Sequence, residues 1–567
     1  MKRLALLVVL AGVAAGGVYY GLQRAQGEPN ATVTTLLPAT TIGFAHMPDF
    51  TRTRDEWHKS DIYKLYQEPA VQDFFKPLKN VPQPDKASDT LTDLERLEPK
   101  DAFLGVTSVE NDNPHFVGGF QFRENQNEAE QIVAKWRSRV VHDSSTRETV
   151  DYETHKIDIV GAAPNQIATV YAGQWLFTSN DLPELKALLD RADGRAKDPK
   201  LTLKSDETFH AAMAHMPASY ALLLYLQPKK LSGGVASIQK RLGQDISSDA
   251  LAAAQEVQSL CAAARFDNGK VHDVFFVGIP KSAFSAELTR NSTKLGSADA
   301  FLYVAALLNP ERFVSAGQAS TGLPLGGWFQ KVFEVAARTG VTADEWKAAF
   351  DLEASALAEW PQTAHLPSVI AVLPVKNPAR AFKISDALTK AIDEDVPWRK
   401  AEKNGVRYYY MQSPVALFAL TPTIAISNEQ MIIGLDSVSV EAAMNRNETR
   451  PTSPLADSAA YKGAARALPN PTTGFVYIDM ALLYSRLDAA LRPVLLMGAA
   501  FMPAIGEYVD LTKWPPPETV TKHLSPIVLS QRFDRDGYVT ESTGPVSLDM
   551  GLGLPAIGWA LSHESQK

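Results

Sequence analysis

Cys261 is the residue in this sequence best suited to nucleophilic or redox chemistry, because it is the chain's single cysteine. It lies in the apolar stretch Leu260–Ala264, which leads into a predicted strand. No histidine lies near it in sequence to activate the thiol, so we expect a small buried core residue. A single cysteine also excludes an intramolecular disulfide.

Ser237 and Lys240 have the S-x-x-K spacing in which a lysine activates a serine nucleophile. Neither S-D-N nor K-T-G follows, although the enzymes that use this motif carry them. Two fixed positions also arise easily by chance. We therefore expect both residues on a solvated helix surface.

The histidines offer two candidate metal clusters. His210 and His215 are five residues apart, so a helix would place them on different faces. His46 and His58 flank the acidic pair Asp55-Glu56 without a ligand spacing that favours a metal. The sequence predicts neither a metal site nor a cofactor.

Two acid-rich segments, Glu110–Asn113 and Asp534–Gly537, superficially resemble calcium loops. A calcium loop needs alternating oxygen ligands and a distal bidentate Glu in fixed register, and neither segment has them. We predict hairpin turns at both. The GxxxxGK[ST], HExxH, GxSxG and CxxC signatures are also absent, so the sequence predicts a protein that is not an enzyme.

The segment Leu491–Ile505, LRPVLLMGAAFMPAI, is apolar with no charge beyond Arg492. It is too short to span a bilayer. It is either a buried core helix, a lid over an apolar groove, or a surface that docks on a membrane or a partner. A second apolar segment, Leu552–Leu561, could cover a sheet edge or touch a membrane. The candidate surface for a protein partner or lipid-like ligand consists of Val494, Leu495, Leu496, Met497, Phe501, Met502, Ile505 and Trp559.

The bulk composition is that of a large, mildly acidic globular protein. Its 567 residues are 45% apolar and 21% charged, with a formal net charge of −8. A chain of this length exceeds a single core, so several units are expected. No concentrated basic surface is evident, which argues against nucleic-acid binding.

The N-terminal residues predict a segment that anchors the protein in a membrane. Lys2 and Arg3 precede an apolar run from Leu4 to Leu22, close to the roughly 20 residues that cross a bilayer. We predict a signal anchor over residues 1–23 that crosses the membrane through residues 4–22, followed by a tether over residues 24–35. The expected location is the bacterial inner membrane, single-pass, with the body in the periplasm or otherwise outside the cytoplasm. Secretion after signal cleavage is the alternative.

The sequence contains an internal repeat, which determines in which half of the chain each candidate residue lies. Asp206–Leu231 resembles Asp457–Leu482, and Ala264–Gly269 resembles Gln531–Gly537. We predict two tandem, divergent units, over residues 36–290 and 296–548, followed by an apolar tail over residues 549–567. Each candidate catalytic group occurs in one half alone, so none belongs to a shared ancestral unit.

Each predicted unit contains strands joined by short turns, with intervening helices. This order indicates an α+β fold with mainly antiparallel sheets and packed helices. The predicted strands include Ala102–Val109, Phe116–Phe122, Tyr152–Val160, Gln166–Tyr171, Trp175–Ser179, Ser368–Val375, Val406–Met411, Leu417–Ser427 and Met431–Leu435. The predicted helices include Asn127–Val140, Leu182–Ala192, Ala379–Ile392 and Val438–Arg446.

The segments LLPATTIGFAHMPDF, EPAVQDFF and FDLEASALAEW…LPSVIAVLPV resemble a family of exported, membrane-anchored bacterial proteins of unknown function. The resemblance implies an N-terminal hydrophobic segment and a large α+β body. It implies no activity and no catalytic residues.

The expected function is therefore that of a membrane-tethered envelope protein, non-enzymatic, whose body binds a partner protein or an apolar ligand. The alternatives are an envelope hydrolase with a site in the cleft between the units, or a structural spacer. Converging catalytic side chains would favour the hydrolase, and an elongated shape without a concave surface would favour the spacer.

Overall fold

A computed structural model describes the chain from Ala31 to Ser547 with gaps. The predicted anchor, the pair Ser237 and Lys240, and the apolar tail lie outside the described residues. None of the helices formed by the described residues is long and apolar enough to cross a bilayer. The described ranges are 31–77, 92–110, 113–122, 126–140, 147–161, 166–198, 201–231, 257–279, 286–308, 338–364, 366–392, 398–411, 421–448, 454–498 and 509–547.

The described part of the chain forms mixed helix and strand. The first ten strands are β1 (Gly43–Asp49), β2 (Lys100–Glu110), β3 (Asn113–Gln121), β4 (Arg147–Tyr152), β5 (His155–Val160), β6 (Ile167–Ala172), β7 (Trp175–Ser179), β8 (Leu222–Leu226), β9 (Ser259–Asp267) and β10 (Lys270–Gly278). The next ten are β11 (Ala300–Leu307), β12 (Glu353–Glu359), β13 (Ser368–Pro374), β14 (Trp398–Lys403), β15 (Val406–Met411), β16 (Thr423–Ile426), β17 (Gln430–Gly434), β18 (Gly474–Ile478), β19 (Ile527–Asp534) and β20 (Gly537–Gly544).

The helices lie between these strands, mostly in the same places in the two halves of the chain. They are α1 (Ala31–Leu36), α2 (Phe50–Trp57), α3 (Asp61–Gln67), α4 (Pro69–Phe74), α5 (Gln126–Val140), α6 (Leu182–Ala192), α7 (Glu207–Met213), α8 (Ala343–Ala349), α9 (Pro378–Ile392), α10 (Ser437–Glu448), α11 (Ala459–Ala465), α12 (Met480–Gly498) and α13 (Pro517–Thr521). A further helical segment covers residues 92–97.

All twenty strands belong to one sheet, and every pairing between described strands is antiparallel. This confirms the mixed α+β class and the mainly antiparallel sheet. The order across the sheet is β4-β5-β6-β7-β3-β2-β1-β8-β9-β10-β20-β19-β18-β11-β12-β13-β17-β16-β15-β14.

The pairing order is the same in the two sets of ten strands. Each strand of the first set has a counterpart ten numbers later, and the counterparts pair in the same sequence outward from the centre. Helices occupy equivalent positions in the two halves. Helix α6 packs Leu185 and Leu188 on the first half of the sheet, and α10 packs Val440 and Met444 on the second. Alternating apolar residues on the central strands, such as Leu223 and Tyr225 of β8 and Tyr303 and Ala305 of β11, supply the other side of these cores.

The two halves meet where β10 pairs with β20 along eight residue pairs, from Val271–Gly544 to Gly278–Gly537. Gly537 is required at this junction. A Cβ atom there would lie 2.3 Å from the carbonyl oxygen of Val277, so any side chain would force the strands apart. Val539 of β20 is fully buried within the core of the first half. The sheet and this core are therefore continuous across the junction.

The sheet ends at β4 on one side and at β14 on the other. Among the described strands, β4 pairs only with β5 and β14 only with β15. Their sequences, RETVDY and WRKAEK, are rich in charge, and most of their side chains are exposed or half-buried. Both edges are thus highly charged.

Some boundaries differ from the sequence prediction. Residues 31–35, expected at the end of the tether, belong to α1, which buries Val33 and Leu36 in the first core. The strand expected at Tyr152–Val160 begins later, as β5 at His155, because Tyr152 ends β4 and the chain turns at Glu153 with a positive φ of 53°. Of the strand expected at Leu417–Ser427, the described residues form β16, Thr423–Ile426.

Candidate functional site

The described part of the segment with the candidate surface residues, Leu491–Gly498, belongs to α12, the longest described helix. The helix starts after Asp479, whose Oδ1 accepts a hydrogen bond from the backbone N–H of Leu482 at 2.9 Å, which caps the first turn. Pro493 lies inside the helix and has no N–H to donate to the preceding turn. The apolar run predicted from Leu491 therefore begins as a continuation of an existing helix.

The inner side of α12 is fixed by a buried carboxylate. Asp488, 7% exposed, accepts hydrogen bonds from Nη2 of Arg492 and from Nε1 of Trp514, both at 2.7 Å. Arg492 Nη2 also donates to the carbonyl oxygen of Pro515 at 2.7 Å. The indole, the guanidinium and the carboxylate thus hold α12 against the segment before α13.

A second arginine, six residues before Arg492, fixes the same helix. Arg486 Nε donates to the carbonyl oxygen of Trp360 at 2.7 Å, and its Nη2 donates to Oδ1 of Asp299 at 2.9 Å. Both of these α12 cations are therefore engaged with the protein itself. They are not available for ion pairing with an external partner unless these contacts break.

The outer side of α12 exposes a row of apolar side chains. Leu487, Leu491 and Val494 follow one another at spacings of four and three residues, which places them on one side of a helix. Leu491 is 46% exposed and Val494 is 58% exposed. We call these three residues the α12 apolar face. Leu496, also 46% exposed, lies on a different side, so the last described turn of α12 is exposed around more than one face.

The predicted surface residues have different outcomes. Val494 and Leu496 are exposed and Leu495 is half-buried, so the described part of this segment is not a buried core helix. Met497 lies in α12, but its side chain is outside the described set. The remaining predicted residues, Phe501, Met502, Ile505 and Trp559, lie outside the described residues.

The cysteine and histidines that the sequence analysis considered for catalysis or metal binding have structural surroundings in the fold. Cys261 is buried, and burial raises the pKa of its thiol, as expected of a core residue. His215 does not pair with His210. It lies on the ring of Phe276 and approaches Asp536 at 2.9 Å. Among the described residues, no group of three or more His, Cys, Asp or Glu side chains is placed to hold a metal ion.

Both acid-rich segments are turns, as predicted. Glu110 pairs with Asn113 between β2 and β3, and Asp534 pairs with Gly537 between β19 and β20. Arg535 adopts a positive φ of 56° at the second turn. These backbone arrangements close hairpins and do not form calcium loops.

One buried polar cluster was missed from the sequence. His46 is 1% exposed, its Nδ1 lies 2.9 Å from the Tyr220 hydroxyl, and its Nε2 lies 3.5 Å from Oδ1 of Asp101. Burial lowers the pKa of His46, although Asp101 opposes that change. The sequence gives no local signal for the cluster, because Tyr220 is 174 residues from His46.

No family model and no curated protein matches this chain. The family resemblance therefore stays a prediction. Solved structures of crystal forms I and III of TP0453 are similar to it at 7% and 8% identity, with TM-scores of 0.23 and 0.24. Each covers 46% of this chain, and the matches span 82% and 84% of those chains. Scores this low indicate neither a shared fold nor a shared function.

Proposed function

We propose that this protein is a membrane-tethered bacterial envelope protein without catalytic activity, whose body binds lipid at the surface of the membrane that holds it. The exposed α12 apolar face carries this proposal. The membrane anchor is the apolar run over residues 4–22, with the body in the periplasm or otherwise outside the cytoplasm. Membership of an exported, membrane-anchored bacterial family is part of the same proposal.

The shape and chemistry of α12 favour a bilayer over an enclosed small ligand. A convex helix side with leucine and valine matches the way amphipathic helices lie in a membrane interface. Because Arg486 and Arg492 are engaged within the protein, the contact does not depend on anionic headgroups. A tethered body also keeps this face close to a bilayer at all times, which raises its effective concentration there.

The test uses the full chain in phosphatidylcholine vesicles with an environment-sensitive dye on a single introduced cysteine. Buried Cys261 with its raised thiol pKa does not compete for the label under native conditions. In Val494→Cys, we expect the dye emission to shift to the blue and to be quenched by lipids that carry a nitroxide on the acyl chain.

The matched control is Val438→Cys, because Val438 is an exposed valine on another helix, α10, and is 77% exposed. Its dye should show no quenching by nitroxide lipid. Adding Leu491→Asp to Val494→Cys should abolish the quenching at position 494. Equal quenching at both positions, or none at either, overturns lipid binding. A blue shift without nitroxide quenching means that a protein surface covers the face, which also overturns it.

The N-terminal anchor and the location of the body have a separate test. Intact mass of the protein from membranes distinguishes an uncleaved anchor from secretion after cleavage. In spheroplasts, external protease should degrade the body if it lies outside the cytoplasm. Protection of the body in intact spheroplasts, with digestion after lysis, would contradict the proposed topology.

The catalytic alternative has less support. A hydrolase at a cleft between the units needs catalytic side chains that converge, whereas Cys261 is buried in the core and His46 and His215 have structural neighbours. The buried His46 cluster contains no serine, cysteine or threonine nucleophile among its three members. The α12 apolar face, in contrast, has no structural role evident in the described contacts.

We also propose that the chain arose by tandem duplication. The identical pairing order of the two sets of ten strands supports this, as does a repeated cap. Asp206 caps α7 and Ser458 caps α11, each accepting a hydrogen bond from the backbone N–H three residues later. In an experimental structure the two sets of ten strands should superpose. Failure of the sets to superpose would contradict a common origin.

A further inference from the structure

A polar cleft lies on the second half of the body, between the start of a 3₁₀ helix at Asn291–Leu295 and α11. Its volume is about 320 Å³, and its lining includes Arg290, Lys462 and Arg466 but no acidic residue. This volume is at the lower end for small-molecule sites. Three cations in one cleft contrast with the formal net charge of −8 for the chain, so the local charge is opposite to that of the whole protein.

The cleft is built around Arg290. This residue adopts the left-handed conformation with φ 56°, and its backbone N–H is held by Oε1 of Glu353 at 3.0 Å. Its guanidinium carbon lies 4.8 Å from the ring centre of Phe475. The hydroxyl of Thr293 donates to the Arg290 carbonyl oxygen at 2.8 Å. The position of this cation is therefore fixed by the fold.

The other two cations of the cleft come from α11, and their surroundings indicate a binding site. Lys462 and Arg466 are four residues apart, which places them on one side of the helix end. Lys462 Nζ lies 2.8 Å from Asp457, but that carboxylate is 68% exposed, so water screens the pair. Arg466 is exposed and makes no ion pair with any described residue of the chain. Thr293 and Asn470 add neutral polar groups to the lining.

The corresponding place in the first half lacks this charge. Lys462 is the fourth residue of α11, and His210 is the fourth residue of α7. Arg466 is the C-cap of α11, whereas Ala214 is the C-cap of α7. The cations are therefore not required by the shared strand and helix arrangement. They distinguish the second half from the first.

We propose that this cleft binds a phosphate group, as a free phosphate compound or as a lipid headgroup, with Lys462, Arg466 and Arg290 neutralising its charge. Guanidinium groups match the geometry of phosphate oxygens and can donate two hydrogen bonds at once. The side-chain amide of Asn470, also in the lining, can donate a hydrogen bond to a phosphate oxygen. The inference does not depend on lipid binding by the α12 apolar face.

The test measures phosphate binding by the full chain in zwitterionic detergent micelles. We expect inorganic phosphate to bind with a dissociation constant of about 1 mM or tighter, and to bind more weakly as salt is added. The double variant Lys462→Gln, Arg466→Gln should weaken binding at least about tenfold, because two of three charged contacts are lost. Arg290 is left unchanged, since its contacts with Phe475 belong to the fold.

A control variant tests whether the effect is specific to the cleft, and a series of ligands distinguishes a soluble phosphate compound from a lipid headgroup. Lys383→Gln removes an exposed lysine on α9 and should leave phosphate binding unchanged. Competition by glycerol phosphate but not by phosphatidic acid vesicles assigns a soluble ligand, and the reverse assigns a headgroup. Absence of phosphate binding, or equal binding by the double variant and the wild type, overturns the proposal. Loss of nitroxide quenching at position 494 would leave these results unaffected.

Discussion

The imidazole of His46 lies in the core of the first half with polar partners on both ring nitrogens. The Tyr220 hydroxyl lies 2.9 Å from Nδ1, and Asp101 lies 3.5 Å from Nε2. Burial opposes a positive charge on the ring more strongly than Asp101 favours it, so the pKa of His46 is lowered. The folded protein therefore holds a neutral histidine at a pH where an exposed histidine gains a proton.

This lowered pKa predicts a pH-dependent stability. Above the ordinary histidine value of 6.5, both folded and unfolded His46 are neutral and stability is full. As pH falls below that value, the unfolded state gains a proton that the folded state does not take up, so stability decreases. The decrease is at most about 1.4 kcal/mol per pH unit for one group. It continues until the pH reaches the lower folded pKa.

The measurement compares urea unfolding of wild type and His46→Gln between pH 8 and pH 5. Glutamine does not titrate, so we expect any stability advantage of the wild type to shrink as pH falls through that window. The other histidines are common to both proteins and cancel in the difference. A constant difference across the window would mean that Asp101 cancels the effect of burial, and a difference that grows as pH falls would mean that Asp101 outweighs it.

Within α12, the buried carboxylate of Asp488 connects the helix to Trp514 and Arg492 at once. Removing it leaves a guanidinium without its main partner, which costs about 3–5 kcal/mol in buried pairs. We therefore expect Asp488→Ala to speed amide hydrogen exchange over Met480–Gly498 by about 100-fold or more. The readout is exchange measured by mass spectrometry on the full chain.

The control for this element is Asp386→Ala in α9. Asp386 pairs with Lys400 at 2.6 Å, and both side chains are more than 40% exposed, so the pair contributes about 0.5 kcal/mol or less. Exchange over α9 should change little. If Asp488→Ala behaves like this control, the carboxylate does not hold α12 in place.

At the scale of helices and strands, the sequence predicted the elements whose formation depends on residues close together in the chain. The helical periods at Leu182–Ala192 and Val438–Arg446 are confirmed by α6 and α10. The turn between β14 and β15 has positive φ values of 54° at Asn404 and 76° at Gly405, a conformation that both residue types favour. In contrast, β14 was missed because WRKAEK has no apolar alternation; β4 was missed because the Glu153 turn has neither Gly nor Asn.

The candidate site was predicted only in part for the same reason. Absence of charge identified the segment around Val494, because such composition is visible locally. Which side of the helix is exposed depends on Trp514 and Asp299, which lie far from Val494 in sequence and hold the opposite side. The polar cleft escaped prediction likewise, since Arg290 and Arg466 come together only in the folded chain.

Across the whole molecule, the two halves are joined by charged contacts as well as strand pairing. At the junction, Glu541 of β20 accepts from Arg532 at 2.6 Å and lies 3.3 Å from Nε2 of His272. Burial alone would raise the pKa of Glu541, but the hydrogen bonds and charges of His272 and Arg532 hold it below the usual value. The ionised carboxylate therefore stabilises the junction.

Glu541→Gln should lower the free energy of unfolding at pH 7 by about 1.5–3 kcal/mol, the contribution of hydrogen bonds to a charged group. Because the folded pKa is depressed, this contribution is present above the ordinary glutamate pKa of 4.5 and is lost as pH falls through the folded value. Urea unfolding at pH 7 and below pH 4 should show a difference that disappears in acid.

Glu429→Gln is the matched control, because Glu429 is 68% exposed and lies 4.0 Å from Lys294. Its unfolding should differ little from wild type at either pH. A difference for Glu541→Gln that persists undiminished in acid would show that packing, not charge, explains the effect. The same measurement reports whether the two halves unfold together, as the continuous sheet predicts.

The charged edge strands β4 and β14 determine how these molecules behave beside one another. An unpaired strand edge offers backbone donors and acceptors to any neighbouring chain, and charged side chains along it oppose that addition. Arg147, Glu148 and Asp151 lie along one edge, and Arg399, Lys400 and Lys403 along the other. Among the described residues, the sheet of twenty strands thus ends in two edges that oppose the addition of a strand from another copy, so crowded copies remain separate.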